Sequence, residues 1–355
     1  MKKLKSDWLY IAPIRGLWLT PYVQNEIKID NVLFVSKEKL PRIRKRLGFP
    51  TVISDLENIA KDNPRSFKES INKFFSDSIT FAVVHFTGTP EENRTANIRK
   101  IENAINLLVF SNLGFNTRKF NSLVEIKSSE KILHTREMLI NKNKKQFSLN
   151  LNAKGPVPLE LNEQWHDFHK SFFYLKLLRL ISNSKANTKW VKTLKSVAII
   201  IGKSLNTHDV PDAFLGNIIA MEMLLTTKND KITKKLVERT EFLIGWNEEW
   251  ENQKIYSRIE NLYKKRCNYV HDGITDNISI DDLIFTDDLL FNIINNLVRG
   301  IKHINSKQRL IDYSDLYQCE KKLALKRKSK FQLGSFQYMR KTYEDKDLNE
   351  WINPT

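Results

Sequence analysis

The chain predicts an α+β N-terminal domain followed by an all-α helical bundle. Three observations carry that prediction. Short runs rich in β-branched and aromatic residues are confined to residues 1–152. The stretch Asn152-Ala153-Lys154-Gly155-Pro156-Val157-Pro158 then places two prolines and a glycine in seven residues, a pattern that continues neither a helix nor a central strand. Beyond it, apolar residues recur at helical spacing and strand signals largely disappear.

In the first half, strands are expected at Trp8 to Ile14, Val32 to Ser36, Ser78 to Phe86, Leu123 to Lys127 and Gln146 to Leu151. A short basic helix is expected over Glu38 to Leu47, with Pro41 tolerable because it falls in the first turn. Ile53, Leu56, Ile59 and Ala60 recur at three- and four-residue spacings up to Pro64, and Phe67 to Phe75 starts a further helix. From Asn93 to Phe110, Ile98, Ile101, Ala104, Ile105 and Leu108 share one broad face. In the second half, helices are expected at 161–182, 187–205, 209–227, 231–245, 252–271 and 280–306. Asp209-Val210-Pro211 reads as a cap with proline in the first turn, and Asp281-Asp282 puts acids at a favourable N-terminal end. The domain reading is therefore 1–152 as an α+β sensor or regulatory domain, 159–306 as the bundle, and 307–355 as a basic C-terminal segment.

Composition excludes several classes. Two cysteines, Cys267 and Cys319, build no disulfide framework and point to a reducing compartment, read as the cytoplasm. No stretch approaches the roughly 20 apolar residues of a membrane span, and no apolar core follows Met1-Lys2-Lys3-Leu4-Lys5 to make a signal peptide. No glycine-rich phosphate loop of either common pattern is present. The net charge is +17, and it is clustered. Lys302 to Lys341 holds eleven lysines and arginines against three acids, or +8, so nearly half the excess lies in 40 residues. That concentration points to a polyanion, with Lys326, Arg327, Lys328 and Lys330 as its densest part.

The chemistry-bearing stretch is Tyr263-Lys264-Lys265-Arg266-Cys267-Asn268-Tyr269-Val270-His271-Asp272-Gly273. An imidazole can take a proton from a ribose 2′-OH near neutral pH, and a guanidinium can hold the charge that builds on the phosphate. On a regular helix the five-residue step from Arg266 to His271 turns about 500°, leaving the two side chains about 140° apart. They meet if the helix end is distorted, which Asp272-Gly273 favours, or if a second copy of the helix completes the site. The plain alternative is a surface arginine and a C-terminal histidine that suits the helix dipole.

Other residues are weighed the same way. Glu222 lies in the apolar segment Ile218 to Leu225 and needs a partner if buried; Arg266 and Arg239 are the candidates, and orientation of Arg266 is the functional reading. Tyr263 and Tyr269 flank Arg266 on the helix surface and either stack on a base or pack in the bundle. His166 and His169 stand at i, i+3, a spacing two metal ligands can share, but no third ligand is recognisable nearby. Arg15 sits at a turn, and Arg42, Arg44, Lys45 and Arg46 spread round a short helix as a solvated face.

Residues 213–302 resemble the Apea-like branch of the HEPN superfamily. The resemblance rests on Ile219 to Leu225, on Leu236 to Leu243, and on Ile259 to Arg266 running into Val270-His271-Asp272-Gly273. The family pattern is Tyr-x-x-Arg-Ser-x-x-Val-His-Gly. Here Cys267 stands in place of the small polar residue, and Asp272 precedes the glycine. The resemblance implies a HEPN-type bundle, pairing of two copies through the helices around 252–271, and metal-independent endoribonuclease activity without a cofactor. It implies Arg266 and His271 as catalytic, with Asn268, Glu222 and Tyr263 in support and Lys264 and Lys265 on the RNA. The implied role is growth arrest or anti-phage defence, with the N-terminal domain receiving a phage-derived or other trigger. The alternative it leaves open is a HEPN module that has lost cleavage and serves dimerisation or RNA binding.

Overall fold

A computed structural model describes residues 7–49, 74–75, 78–116, 118, 123–126, 136–141, 146–151, 158–182, 188–207, 209–244 and 254–325. The helix expected around Ile53 to Ala60 and the basic residues Lys326, Arg327, Lys328 and Lys330 lie outside the described residues.

The N-terminal part is built on an antiparallel sheet of five strands. Strands β1 (Asp7–Arg15), β3 (Glu26–Ile29), β4 (Val32–Ser36), β5 (Thr80–Thr87) and β6 (Glu125–Ile126) lie in the order β3-β4-β5-β1-β6. β1 and β5 pair from Asp7 opposite Thr87 to Ile14 opposite Thr80. Strand alternation then sorts the side chains. Ala12, Ile14, Phe34, Ala82 and Val84 enter one core with Ile101, Ile105 and Leu108 of helix α2 (Pro90–Val109). Val35, Phe81 and Val83 point to the other face, which helix α1 (Leu40–Arg46) covers with Leu40 and Ile43.

After β1 the chain turns at Gly16, with φ at +74°. A Cβ there would lie 1.9 Å from the Leu123 carbonyl oxygen, so both the angle and the space demand glycine. The turn leads into β2 (Leu17–Leu19), which pairs in parallel with β9 (Leu159–Leu161). β7 (Arg136–Asn141) and β8 (Gln146–Leu151) form a separate antiparallel hairpin.

The C-terminal part is mostly helical: α3 (Glu163–Ser171), α4 (Tyr174–Ser182), α5 (Lys189–Leu205), α6 (Val210–Leu225), α7 (Ile232–Ile244), α8 (Ile255–Asp272), α9 (Ile280–Arg299) and α10 (Lys307–Lys322). The helix expected over 161–182 is two helices. Phe172 takes an extended conformation between them, and both Phe172 and Phe173 stack on Phe291 of α9. The last bundle helix stops at Arg299, short of the expected 306, and α10 lies within the segment expected to be basic.

The expected division at 152–158 does not coincide with a break in the core. One buried cluster runs from Ala12 of β1 to Leu310 of α10. Polar groups cross the same seam. Trp165 Nε1 donates to Ser111 Oγ at 2.9 Å, and the Tyr174 hydroxyl donates to the Leu107 carbonyl at 3.0 Å. Arg118, buried among α5 and α9, donates to both carboxylate oxygens of Asp287 at 2.6 and 2.8 Å and to the Ser204 carbonyl at 2.9 Å. The sheet and the bundle are therefore two layers around a shared interior.

Candidate functional site

α8 carries the site because of its spacing. Ile255, Ile259 and Leu262 are its buried residues, at steps of four and three, and they face the bundle. Arg266 is the next position on that face, eleven residues after Ile255, where an apolar side chain would continue the stripe. Its guanidinium points inward and meets α6. Arg266 Nη2 donates to Glu222 Oε2 at 3.3 Å. Nε lies 3.2 Å from Oε1 but without hydrogen-bond alignment, so the pair is close and loosely formed. The two side chains are 20% and 17% exposed. Burial pushes the Glu222 carboxyl up from its ordinary value, and Arg266 pulls it back in part. The Arg266 Cζ also lies 5.7 Å from the centre of the Tyr263 ring, whose hydroxyl burial shifts upward.

His271 goes the other way. The helix continues past His271 to Asp272 before it closes. The Gly273 N–H bonds the Tyr269 carbonyl at 3.1 Å and the Ile274 N–H bonds the Asn268 carbonyl at 3.3 Å. With Gly273 at φ +68°, an i→i−4 bond and a wider i→i−6 bond close the helix on a left-handed glycine just after Asp272. That corrects the expectation that Asp272-Gly273 would bend His271 toward Arg266. The glycine terminates the helix without unwinding it, so the roughly 140° separation stands. His271 is exposed, beside Val270 and Ile274, which are 48% and 45% exposed. Asn268 shares its side of the helix at i−3, and Lys264 continues that line at i−7, exposed. The structure brings Arg266, Glu222 and Tyr263 together and places Lys264, Asn268 and His271 on another face.

Lys265 is not free for a phosphate, against expectation. Its ammonium sits 2.7 Å from Asp282 Oδ2, with both groups largely buried. The same carboxylate closes the capping box of α9 by accepting from the Ser279 N–H at 2.8 Å. Sequence reasoning saw Asp282 only as a helix-dipole acid. It also missed Asp212, whose Oδ1 accepts from the Tyr269 hydroxyl at 2.7 Å and ties the last turn of α8 to the first turn of α6. Arg258 lies 3.6 Å from Asp281 and 3.8 Å over the Phe285 ring. The signal was available: Arg258, Leu262, Lys265 and Tyr269 recur at four, three and four, a second inward line beside the apolar one.

The remaining candidates are structural. His169 packs against Trp165, Phe168 and Tyr174, and burial lowers its pKa to about 3. His166 faces Tyr22 and Asp167 instead, so the two imidazoles do not share a site. Arg15 lies 3.9 Å from Glu125. Arg46 joins Lys39 on Glu26, each at 3.5 Å. Arg239, the alternative partner for Glu222, bonds Asp230 and the Leu225 carbonyl. No helix among the described residues is long and apolar enough to cross a membrane. No family model, curated protein or solved structure matches the chain.

Proposed function

We propose that the protein is a metal-independent endoribonuclease of the HEPN type, acting as a pair of chains that share one RNA cleft. The observation that supports this reading is the end of α8. It bears an arginine seated by a carboxylate and a tyrosine, and five residues on an exposed histidine. Since one copy turns the two groups apart, the reading needs His271 of one copy to work opposite Arg266 of another. His271 takes the 2′-OH proton, Arg266 holds the phosphorane charge, and Asn268 orients the imidazole. Glu222 positions Arg266, and Lys264 takes a neighbouring phosphate. The products are a 2′,3′-cyclic phosphate and a 5′-hydroxyl. In a cell the outcome is growth arrest or phage defence, with the N-terminal part receiving the trigger.

The test is purified protein with total RNA in EDTA, beside Arg266→Ala and His271→Ala. The reading expects cleavage that both variants lose. Cleavage that survives in both removes these residues from the chemistry. The second reading is a module that binds RNA or a second copy without cutting. The Glu222 contact favours it, because the carboxylate already neutralises the guanidinium a phosphate would need. It expects RNA retention with no products, and no rescue of growth by His271→Ala.

A further inference from the structure

A cavity of about 1040 Å³ opens at the seam between the sheet and the bundle, remote from α8 in the chain. Four consecutive residues of β1, Tyr10 to Pro13, line it. Neighbouring strand residues point to opposite faces, so a wall made of four in a row is the edge of the strand. Among the described residues this edge carries little pairing. β1 pairs with β5 from Asp7 to Ile14, but with β6 only at Ile14 and Arg15. Pro13, the next residue along, has no N–H to give a partner strand. Beside that stretch of β1, α2 and α5 line a half-open space.

The lining has two characters. Ile98 and Ile105 of α2, Ile199 of α5 and the Tyr10 side chain make an apolar wall. Arg94 of α2 and Lys203 of α5 supply cations, and neither has an ion-pair partner among the described residues. Two acids also line the space: Glu125 lies 3.9 Å from Arg15, and Glu102 has no ion-pair partner among the described residues. Asn206 spends both ends of its amide on the backbone of Val124, at 2.8 and 2.9 Å, which fixes the start of β6 as a rim. Asn103 remains as an uncommitted amide.

We propose that this cavity binds a small organic anion that carries a ring. The ring lies on the isoleucine wall, and Arg94 and Lys203 take the charge. The site stands independently of the ribonuclease reading.

The probe is 8-anilinonaphthalene-1-sulfonate, a fused ring bearing one anionic group, titrated into the full chain and followed by fluorescence. The variants are Arg94→Glu, Lys203→Glu and Asn103→Trp, all at exposed positions, with thermal midpoints measured without dye to confirm folding. Saturable binding is expected, weakened at least tenfold by each charge reversal and weakened by the tryptophan that intrudes on the space. Inorganic phosphate at matched ionic strength should displace the dye poorly. The proposal is overturned if no saturable binding occurs, if folded variants bind as the parent does, or if phosphate displaces the dye as well as a second ring-bearing sulfonate.

Discussion

Gly202 lies inside α5, where helix propensity alone favours alanine by about 1 kcal/mol. The packing argues the opposite. A Cβ at Gly202 would stand 1.8 Å from the Asn106 carbonyl oxygen, 2.6 Å from its carbon and 3.0 Å from its Cα. These are backbone atoms of α2, so no side chain can swing aside. Ordinary contact begins at 3.4 Å, and 3.4 minus 1.8 means the helices must part by about 1.6 Å. Ile101, Ile105 and Leu108 on α2, and Val197, Ile201 and Leu205 on α5, would lose contact together. Overpacking costs about 1–3 kcal/mol when side chains can adjust, and the upper end applies where they cannot. Setting about 3 against a propensity gain of about 1 leaves Gly202→Ala less stable by about 2 kcal/mol. With a urea slope of roughly 3 kcal/mol/M, the midpoint falls by about 0.7 M. Gly216→Ala is the control. Its nearest neighbour is the Ser204 Cβ at 3.3 Å, a side-chain atom, so the propensity gain should survive there. A Gly202→Ala midpoint equal to or above that of Gly216→Ala would refute the close backbone approach of α2 and α5.

Three further outcomes follow from buried polar groups. His169 is held neutral by burial, with His166 adding to the effect and the Ser111 backbone opposing it. Its folded pKa is depressed, so its contribution to stability is present above about 6.5 and drains away toward pH 3, at roughly 1.4 kcal/mol per pH unit. Urea midpoints of His169→Phe should therefore fall less than the parent's between pH 7 and pH 4. Glu222 behaves in the other sense: its folded pKa is raised, so the cost of its charge is absent at low pH and grows as pH rises through that value. Glu222→Gln should gain on the parent between pH 4 and pH 7, and a constant difference would mean that burial does not dominate. Lys321 of α10 pairs with the wholly buried Glu241, which Gln318 also bonds at 2.9 Å. Lys321→Met leaves that carboxylate under-compensated and should cost about 1–3 kcal/mol, seen as earlier proteolysis after α7.

Much of this architecture was legible, and the failures have causes. Apolar periodicity located α2 and the bundle helices because each buries one long face. β3 was missed because Glu26 and Lys28 break a four-residue run. The better signal was the turn after it: Ile29 pairs with Val32 across Asp30-Asn31, and Asp30 takes φ +54°, the conformation such two-residue turns require. β2 and β9 are three residues each and exist only because they pair across more than 140 residues, which no local pattern encodes. The division expected at 152–158 does not show as a border between cores, because one buried cluster spans both sides of it. Whether a sheet is covered by its own helices or by those of the next segment is decided by long-range packing. The inward aim of Arg266 was readable all along from its step after Ile255, Ile259 and Leu262.

That aim has a kinetic consequence. In one copy, Arg266 lies on the bundle side of α8 and His271 on the solvent side, about 7.5 Å farther along the axis. Neither side chain can cross the helix, and the helix runs on through His271 to Asp272, which removes the one local way to bring them round. A general base and a charge acceptor must both reach one phosphate to act in the same transition state. On the proposed ribonuclease reading, cleavage by this pair would be a property of two chains, and the rate at low protein concentration should rise with its square until the pair saturates. Mixing Arg266→Ala with His271→Ala distinguishes the arrangements. If, within the shared cleft, each arginine works with the histidine of the other chain, a mixed pair keeps one of its two arginine–histidine couples and recovers up to half the activity per pair. Activity linear in concentration from the lowest range, with no recovery on mixing, would mean that the reaction is completed by groups of a single chain, and that His271 is not its base.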